Sequence, residues 1–445
     1  MGARVEVEGI DGAIGDLVQV ACDGQDLLAE VVAIEEDALV CLPLGWPTGL
    51  RRGQRATISG QGLTVQVGEA LLGRVLDGLG RPLDGKPLPV DMERVPVLAR
   101  APAALSRRPV DKQLPLGVKA IDTMFACGQG QRLGLFAGSG VGKSTLLGML
   151  ARGTTAECAV IALVGERGRE AEEFVREHLG AGLERSIVVV ATSDQPPMVR
   201  LLSAMVATRI AEWWRDRGTS VLLMMDSLTR FAMAQREVGL AAGEPPATRG
   251  YPPSVFSLLA ELLERAGTSA KGSITGLYTV LVEGDDMDEP VADAARAILD
   301  GHVVLSRSIA QMGRWPAIDI LASVSRLASA LTSPADLAVA AKARRLLAAW
   351  EEHRDLIEVG AYRRGSSPDV DEAIARRDAI EAAFRQTSGE VVALSQAWAE
   401  LRRAVGEPGA DEVQAGTPLA GEVQAGGDPE TAAGAAVTTA VGEAW

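Results

Sequence analysis

Cysteine is scarce in this sequence. Of 445 residues only Cys22, Cys41, Cys127 and Cys158 carry thiols, and none stands in a Cys-x-x-Cys pair. That spacing argues against a zinc ribbon and for four reduced thiols, as in a cytosolic protein, rather than a disulfide framework. The three histidines, His178, His302 and His353, are too scattered for a metal-ligating pattern. Aromatics make up 4% of the chain, so its cores rest on Ala, Val, Leu and Ile. No apolar run approaches the roughly 18 residues of a membrane span. The N-terminus lacks the basic, apolar, small-residue order of a secretory signal. These absences point to a cytoplasmic protein. Positive charge is also short. The 39 residues from Glu407 hold seven acids and no Lys or Arg, which takes the body from the chain's −15 to −8. An acidic body argues against broad, charge-driven nucleic-acid binding.

What is present is a long, folded chain with 47% apolar residues, enough for two or three domains. Residues 1–95 read as a small N-terminal β-barrel and linker. Short apolar stretches (Leu17–Ala21, Leu28–Ile34, Ala38–Leu42, Thr64–Val67) alternate there with Gly, Asp and Pro signals. Over residues 96–333 the pattern becomes α/β. Strand-like runs at Leu133–Ala137, Ala159–Val164, Ile187–Ala191, Val221–Met225 and Ile274–Val282 alternate with longer helical stretches. Such alternation predicts a parallel sheet covered by helices. Residues 334–405 read as a C-terminal helical domain. Residues 406–445 form an acidic Ala/Gly tail that repeats Glu-Val-Gln-Ala-Gly, a composition expected to be disordered.

The strongest chemical signal is Ala137-Gly-Ser-Gly-Val-Gly-Lys143-Ser144-Thr145, set between a strand and a helix over Gly142–Arg152. Glycine lets successive N–H groups of Gly138, Ser139, Gly140, Val141 and Gly142 turn inward around phosphate oxygens. The helix N-terminus adds positive potential. Lys143 reaches β- and γ-phosphates, and the Ser144 hydroxyl is a ligand for Mg²⁺. Ala137 stands where this phosphate loop usually has Gly, at a position that needs only a small residue. Asp226 ends the apolar run Val221–Met225, where a carboxylate can hold Mg²⁺ through water. Glu166 follows the run Ala159–Val164 and is placed to polarise a water beside a γ-phosphate. Spacing alone equally allows a solvated start to a helix over 168–180. Arg167 beside it is suited to steady phosphate or a neighbouring subunit.

Together these motifs resemble the RecA-like rotary ATPases and, within them, the flagellar and type III secretion export ATPases. The resemblance is carried by Gly68–Gly85, Gly117–Asp122, Gly128–Arg132, Asp226–Ala232, Pro245–Pro253, Val282–Asp293 and Trp315–Arg326, and spans about residues 10 to 400. It implies a homohexameric ring that hydrolyses ATP between neighbouring subunits, with Mg²⁺ as cofactor. Activity would release chaperones and unfold cargo for export. Glu166 matches the catalytic carboxylate. Arg326 matches the arginine finger, although its local sequence shows only an Arg after a short apolar stretch. Arg230 matches a structural or phosphate-proximal arginine. Trp315 matches the aromatic that stacks on adenine, where relatives more often carry Tyr or His, and Tyr362 is expected to close the other side. The acidic loop with Glu283, Asp285 and Asp286 matches the one facing the ring's pore, where it would meet a basic central-stalk coiled coil. A stator or regulator protein, the export gate and chaperone–cargo complexes are the further partners implied. The protein would be cytoplasmic, peripherally associated with the inner-membrane export apparatus. The family's N-terminal amphipathic extension has no counterpart before the first expected strand.

A catalytic subunit of a rotary ATP synthase is the enzyme alternative. The form of the loop, the Gly165–Glu170 context and the small helical C-terminal region stand against it. An RNA-translocating hexameric helicase would need basic and aromatic residues in its N-terminal domain, and residues 1–95 hold one aromatic, Trp46. A non-catalytic nucleotide-binding subunit would be expected to lack Lys143 or Glu166.

Overall fold

The change in apolar periodicity marks two kinds of sheet. The computed structural model describes residues 4–22, 26–282 and 286–407. The acidic-loop residues Glu283 and Asp285, and the tail beyond Glu407, lie outside these. In the N-terminal part, β1 (Val5–Glu8), β2 (Leu17–Val20), β3 (Leu27–Ile34), β4 (Ala38–Pro43) and β5 (Ala56–Ile58) form an antiparallel sheet in the order β1-β4-β3-β2-β5. Alternate residues (Val5 and Val7, Val18 and Val20, Leu39 and Cys41) point into its own core, the period-2 pattern of a sheet with one buried face. Strands β6 (Thr64–Val67) and β8 (Glu93–Pro96) make a separate antiparallel pair.

Between them β7 (Val75–Asp77) leaves the N-terminal part altogether. It pairs in parallel with the strand Ser186–Thr192 and becomes an edge of the large sheet. That sheet is otherwise built from β9 (Arg132–Ala137), β10 (Cys158–Glu166), β11 (Ser186–Thr192), β12 (Ser220–Asp226), β13 (Gly267–Thr268), β14 (Ser273–Leu281), β15 (Gly301–Leu305) and β16 (Ile318–Ser325). Its order is β16-β15-β9-β14-β12-β10-β11-β7, with β13 attached to β14. The strands from β15 to β7 run parallel, and β16 closes the far edge antiparallel to β15.

Helices cover both faces, so the central strands are buried and mainly apolar, as parallel strands require. Along β10, Val160, Ala162 and Val164 face the helices Pro197–Arg215, Leu228–Ala241 and Pro253–Arg265. Ala159, Ile161 and Leu163 face the helix Lys143–Gly153. The C-terminal helices Pro334–Glu352, Pro368–Phe384 and Leu394–Val405 add Val339, Leu346, Phe384, Trp398 and Leu401 to this second core. Their apolar face is thus continuous with the sheet's. Among the described residues no helix is long and apolar enough to cross a membrane.

Candidate active site

Parallel strands deliver their C-terminal ends to one rim of the sheet, and the candidate residues gather there. β9 ends at Ala137, the chain turns through Gly138–Gly142, and a helix starts at Lys143. Gly140 (φ 76°) and Gly142 (φ 86°) hold the left-handed backbone that turns the loop. At 142 the lack of a side chain is doubly required, since a Cβ would lie 2.8 Å from the Trp315 ring. The loop opens on a cavity of about 1080 Å³ lined by Gly138, Ser139, Gly140, Gly142, Lys143, Ser144, Thr145, Glu166, Arg167 and Trp315. Val141 is buried behind the loop instead and anchors it to the core.

Three charges, one from the start of the helix after the loop and two from strand ends, converge beneath the loop. Lys143 Nζ lies 2.5 Å from Asp226 Oδ1 and 3.4 Å from Glu166 Oε1. Thr279 on β14 donates its hydroxyl to Asp226 Oδ1 at 2.7 Å and so fixes that carboxylate. Burial by itself would lower the Lys143 pKa, but Asp226 and Glu166 outweigh it and hold the ammonium above the ordinary lysine value. Burial, reinforced by the charge of Asp226, raises the Glu166 pKa above that of an ordinary carboxylate, while Lys143 and Arg230 pull the other way. Arg230 lines the cavity, and its Nε is buried with no hydrogen-bond partner. Arg167 is largely exposed and pairs with Glu170 at 3.2 Å.

No cluster of three His, Cys, Asp or Glu residues among the described residues could cage a metal. The donors present at the loop are the Ser144 hydroxyl and the Asp226 carboxylate. This set fits Mg²⁺, which is bound through few protein groups together with phosphates and water.

The opposite wall comes from the C-terminal helical region. Arg385, Gln386, Thr387, Ser388 and Glu390 line the cavity with Met149 and Pro316. Gln386 is buried and ties this wall down. Its N–H donates to Trp315 O, its Nε2 to Gly117 O at 2.7 Å, and its Oε1 accepts from Lys119 N. No local motif announces these residues, because they reach the site across some 270 positions of sequence.

Two expected residues are not part of this cavity. Tyr362 belongs to the turn before the helix Pro368–Phe384. There its hydroxyl donates to Ser367 O and Asp371 Oδ1 at 3.0 and 3.1 Å, which braces that turn and leaves Tyr362 outside the residues lining the cavity. Arg326 follows β16, whose last residue Ser325 pairs with Gly301 at the start of β15. It is exposed, donating to Arg296 O and, from its backbone, to Asp300 O. It therefore sits at the rim opposite the phosphate loop, about 20 Å away along a six-residue strand.

A glycine-turned loop feeding a helix, a lysine held by two strand-end carboxylates and an aromatic against the loop define a P-loop ATPase of RecA-like architecture. Comparison with known proteins agrees. The nucleotide-binding domain of the ATP synthase alpha/beta family matches residues 117–325, and the C-terminal domain of the type III secretion ATPase EscN matches 332–403. The flagellum-specific ATP synthase of Bacillus subtilis (strain 168) is 48% identical over 410 residues, 91% of this chain and 94% of the relative. The type 3 secretion system ATPase of Xanthomonas euvesicatoria is 50% identical over 396 residues, covering 88% and 90%. The assembled EscN of enteropathogenic E. coli superposes with a TM-score of 0.86 at 42% identity, over 91% of this chain and 98% of that one. This chain belongs to the family of flagellar and type III secretion export ATPases, and it is an ATP hydrolase.

Proposed function

We propose that the chain is the hexameric, Mg²⁺-dependent ATPase of a flagellar or virulence-type export apparatus, acting from the cytoplasm at the inner membrane. The observation that carries this reading is the convergence of Lys143, Glu166 and Asp226 beneath the phosphate loop. Lys143 binds the β- and γ-phosphates, replacing its contacts to the carboxylates. Glu166, freed of the lysine, orients and polarises the attacking water. The Ser144 hydroxyl, and Asp226 through water, would hold Mg²⁺, which would supply charge neutralisation for the phosphates. Loop N–H groups from Gly138 to Thr145 cradle the phosphates, Trp315 stacks on the base, and Arg167 steadies the neighbouring interface. Arg326, on the far rim, serves the site of the adjacent subunit.

The acidic loop around Glu283, Asp285 and Asp286 meets a basic stalk coiled coil. EscN has been solved in complex with its central stalk EscO, with a TM-score of 0.85 to this chain. Stator, export gate and chaperone–cargo complexes are the remaining partners, the last being dissociated and unfolded at the expense of ATP. ATPase rate against protein concentration tests the reading. Specific activity should rise steeply as rings assemble, and Lys143→Ala should abolish turnover and weaken ATP binding at every concentration. Full turnover by the Lys143→Ala protein would overturn the assignment.

A further inference from the structure

Two fully buried threonines, Thr275 and Thr279, interrupt the largely apolar strand β14. A hydroxyl buried without a partner is costly, so each must find one locally. Thr275 is spent on structure. It accepts from Gly130 N at 2.9 Å and donates to Gly128 O at 3.4 Å. Thr279 stands two residues before the C-terminal end of the strand, at the rim that holds the phosphate loop. The pairing of β12 with β14 sets Met225 against Tyr278 and so brings Asp226 beside Thr279. Two acceptors lie within reach of the Thr279 hydroxyl, Asp226 Oδ1 at 2.7 Å and Met225 O at 3.3 Å. One proton cannot serve both fully, and the nearer, charged acceptor takes it. The branched Cβ leaves threonine few rotamers, so this donor is held in place.

Asp226 Oδ1 therefore receives two donors, Lys143 Nζ and the Thr279 hydroxyl. The reaction asks different things of them. Under the function proposed above, Lys143 leaves the carboxylate for the β- and γ-phosphates. Thr279 is fixed in a central strand, between β9 and β12, and has no second task at the site. Among the described residues Asp226 Oδ2 accepts no hydrogen bond, which leaves it for the water through which Asp226 would hold Mg²⁺. We propose that Thr279 is the positioning residue of the magnesium site. Its hydroxyl keeps Oδ1 occupied and fixes the plane of the Asp226 carboxylate once Lys143 has gone to the phosphates. This rests on the assignment of Asp226 to Mg²⁺. Outer partners of this kind orient the groups around a metal, and losing one costs about 10–100-fold in metal affinity or activity. Loss of the hydroxyl should weaken what the metal adds to nucleotide binding. Binding without metal, which relies on Lys143 and the loop N–H groups, should stay as it was.

The test measures the affinity of a fluorescent, non-hydrolysable ATP analogue for the full-length protein with and without Mg²⁺. It also measures the free Mg²⁺ that gives half the maximal ATPase rate. Wild type is compared with Thr279→Val, Thr279→Ser and Asp226→Asn. Valine keeps the branched shape and removes the hydroxyl, whereas serine keeps the hydroxyl and removes the methyl. Thr279→Val is expected to need about tenfold more free Mg²⁺ and to lose a similar factor of the affinity that Mg²⁺ adds. Without metal it should bind the analogue as wild type does, and Thr279→Ser should behave as wild type throughout. Thr279→Ala, also without a hydroxyl, carries the test if the valine variant misfolds. A wild-type Mg²⁺ dependence in the hydroxyl-free variant would overturn the proposal. So would affinity lost equally with and without metal, or a serine variant as impaired as valine, since either would assign the effect to packing. Asp226→Asn separates the two readings. If it leaves the Mg²⁺ dependence unchanged, the metal role of Asp226 falls and this proposal with it. If it removes that dependence while Thr279→Val does not, this proposal alone falls.

Discussion

Glu166 competes with Asp226 for one ammonium, and the nearer carboxylate wins: 2.5 Å against 3.4 Å. If Glu166 is the base proposed above, the loser is the group that must be ionised to polarise water. Burial and the neighbouring charge of Asp226 raise its pKa, so a larger share of it is protonated just below neutrality than for an ordinary glutamate. The sign follows directly. For the free enzyme, kcat/KM should fall as pH drops through that raised pKa and stay level above it. Glu166→Gln should retain nucleotide binding, lose hydrolysis by about 10²-fold or more, the low end of what a positioned base contributes, and lose this acidic limb. A Glu166→Gln protein hydrolysing at the wild-type rate, with the limb intact, would assign the base elsewhere. Glu166 is legible in sequence as a carboxylate just past a buried strand. Its rivalry with Asp226 is not, because the two meet only through the pairing of β10 with β12.

Elements explain what the sequence conceals. The phosphate loop, β9, β10 and β12 are readable because each is a local pattern: glycines before a helix, or an apolar run ending in an acid. β7 is three residues long and is a strand only because β11 offers an edge. The Arg385–Glu390 wall exists because Gln386 spends its hydrogen bonds on Gly117, Lys119 and Trp315. Gln386→Ala should loosen that wall, costing about 1–3 kcal/mol for the orphaned backbone groups and raising KM for ATP more than it lowers kcat. An unchanged KM with unchanged thermal stability would show the tether to be idle. Asp122 performs the same kind of work on the other side of Gly117. Its carboxylate accepts from Leu116 and Gly117 N–H, both at 2.8 Å. Burial nevertheless pushes its pKa up to about 7. The folded state therefore holds a proton that the unfolded chain releases near pH 3.9, so this contribution is complete below about pH 4 and is lost as pH rises through 7. Melting temperature measured from pH 5 to 8 should decline with this component in wild type. In Asp122→Asn the component should vanish, at the expense of lower stability at pH 5, where the amide cannot accept from both N–H groups.

At the scale of the molecule the parallel sheet separates its two rims. The phosphate loop, Lys143, Glu166 and Asp226 occupy one, and Arg326 the other, at the far end of β9 and β15. A side chain reaches only several ångströms, whereas six residues of strand span about 20 Å. Arg326 therefore has no route to the γ-phosphate of its own subunit. If it stabilises the charge developing in phosphoryl transfer, as an arginine finger does, it acts across an interface. Beside it on β16 lie the exposed apolar residues Leu321 and Val324, a surface suited to a neighbouring copy. Complementation separates the possibilities. Arg326→Ala subunits have an intact loop but offer no finger, and Lys143→Ala subunits offer the finger but cannot turn over. Each alone should be inactive, with a loss of about 10³-fold or more for Arg326→Ala. Mixed before assembly, an Arg326→Ala loop next to a Lys143→Ala neighbour receives a finger, so activity should reappear and peak near equal proportions. Inactive mixtures whose rings are intact by mass would place Arg326 outside the reaction, and an active Arg326→Ala protein on its own would do the same.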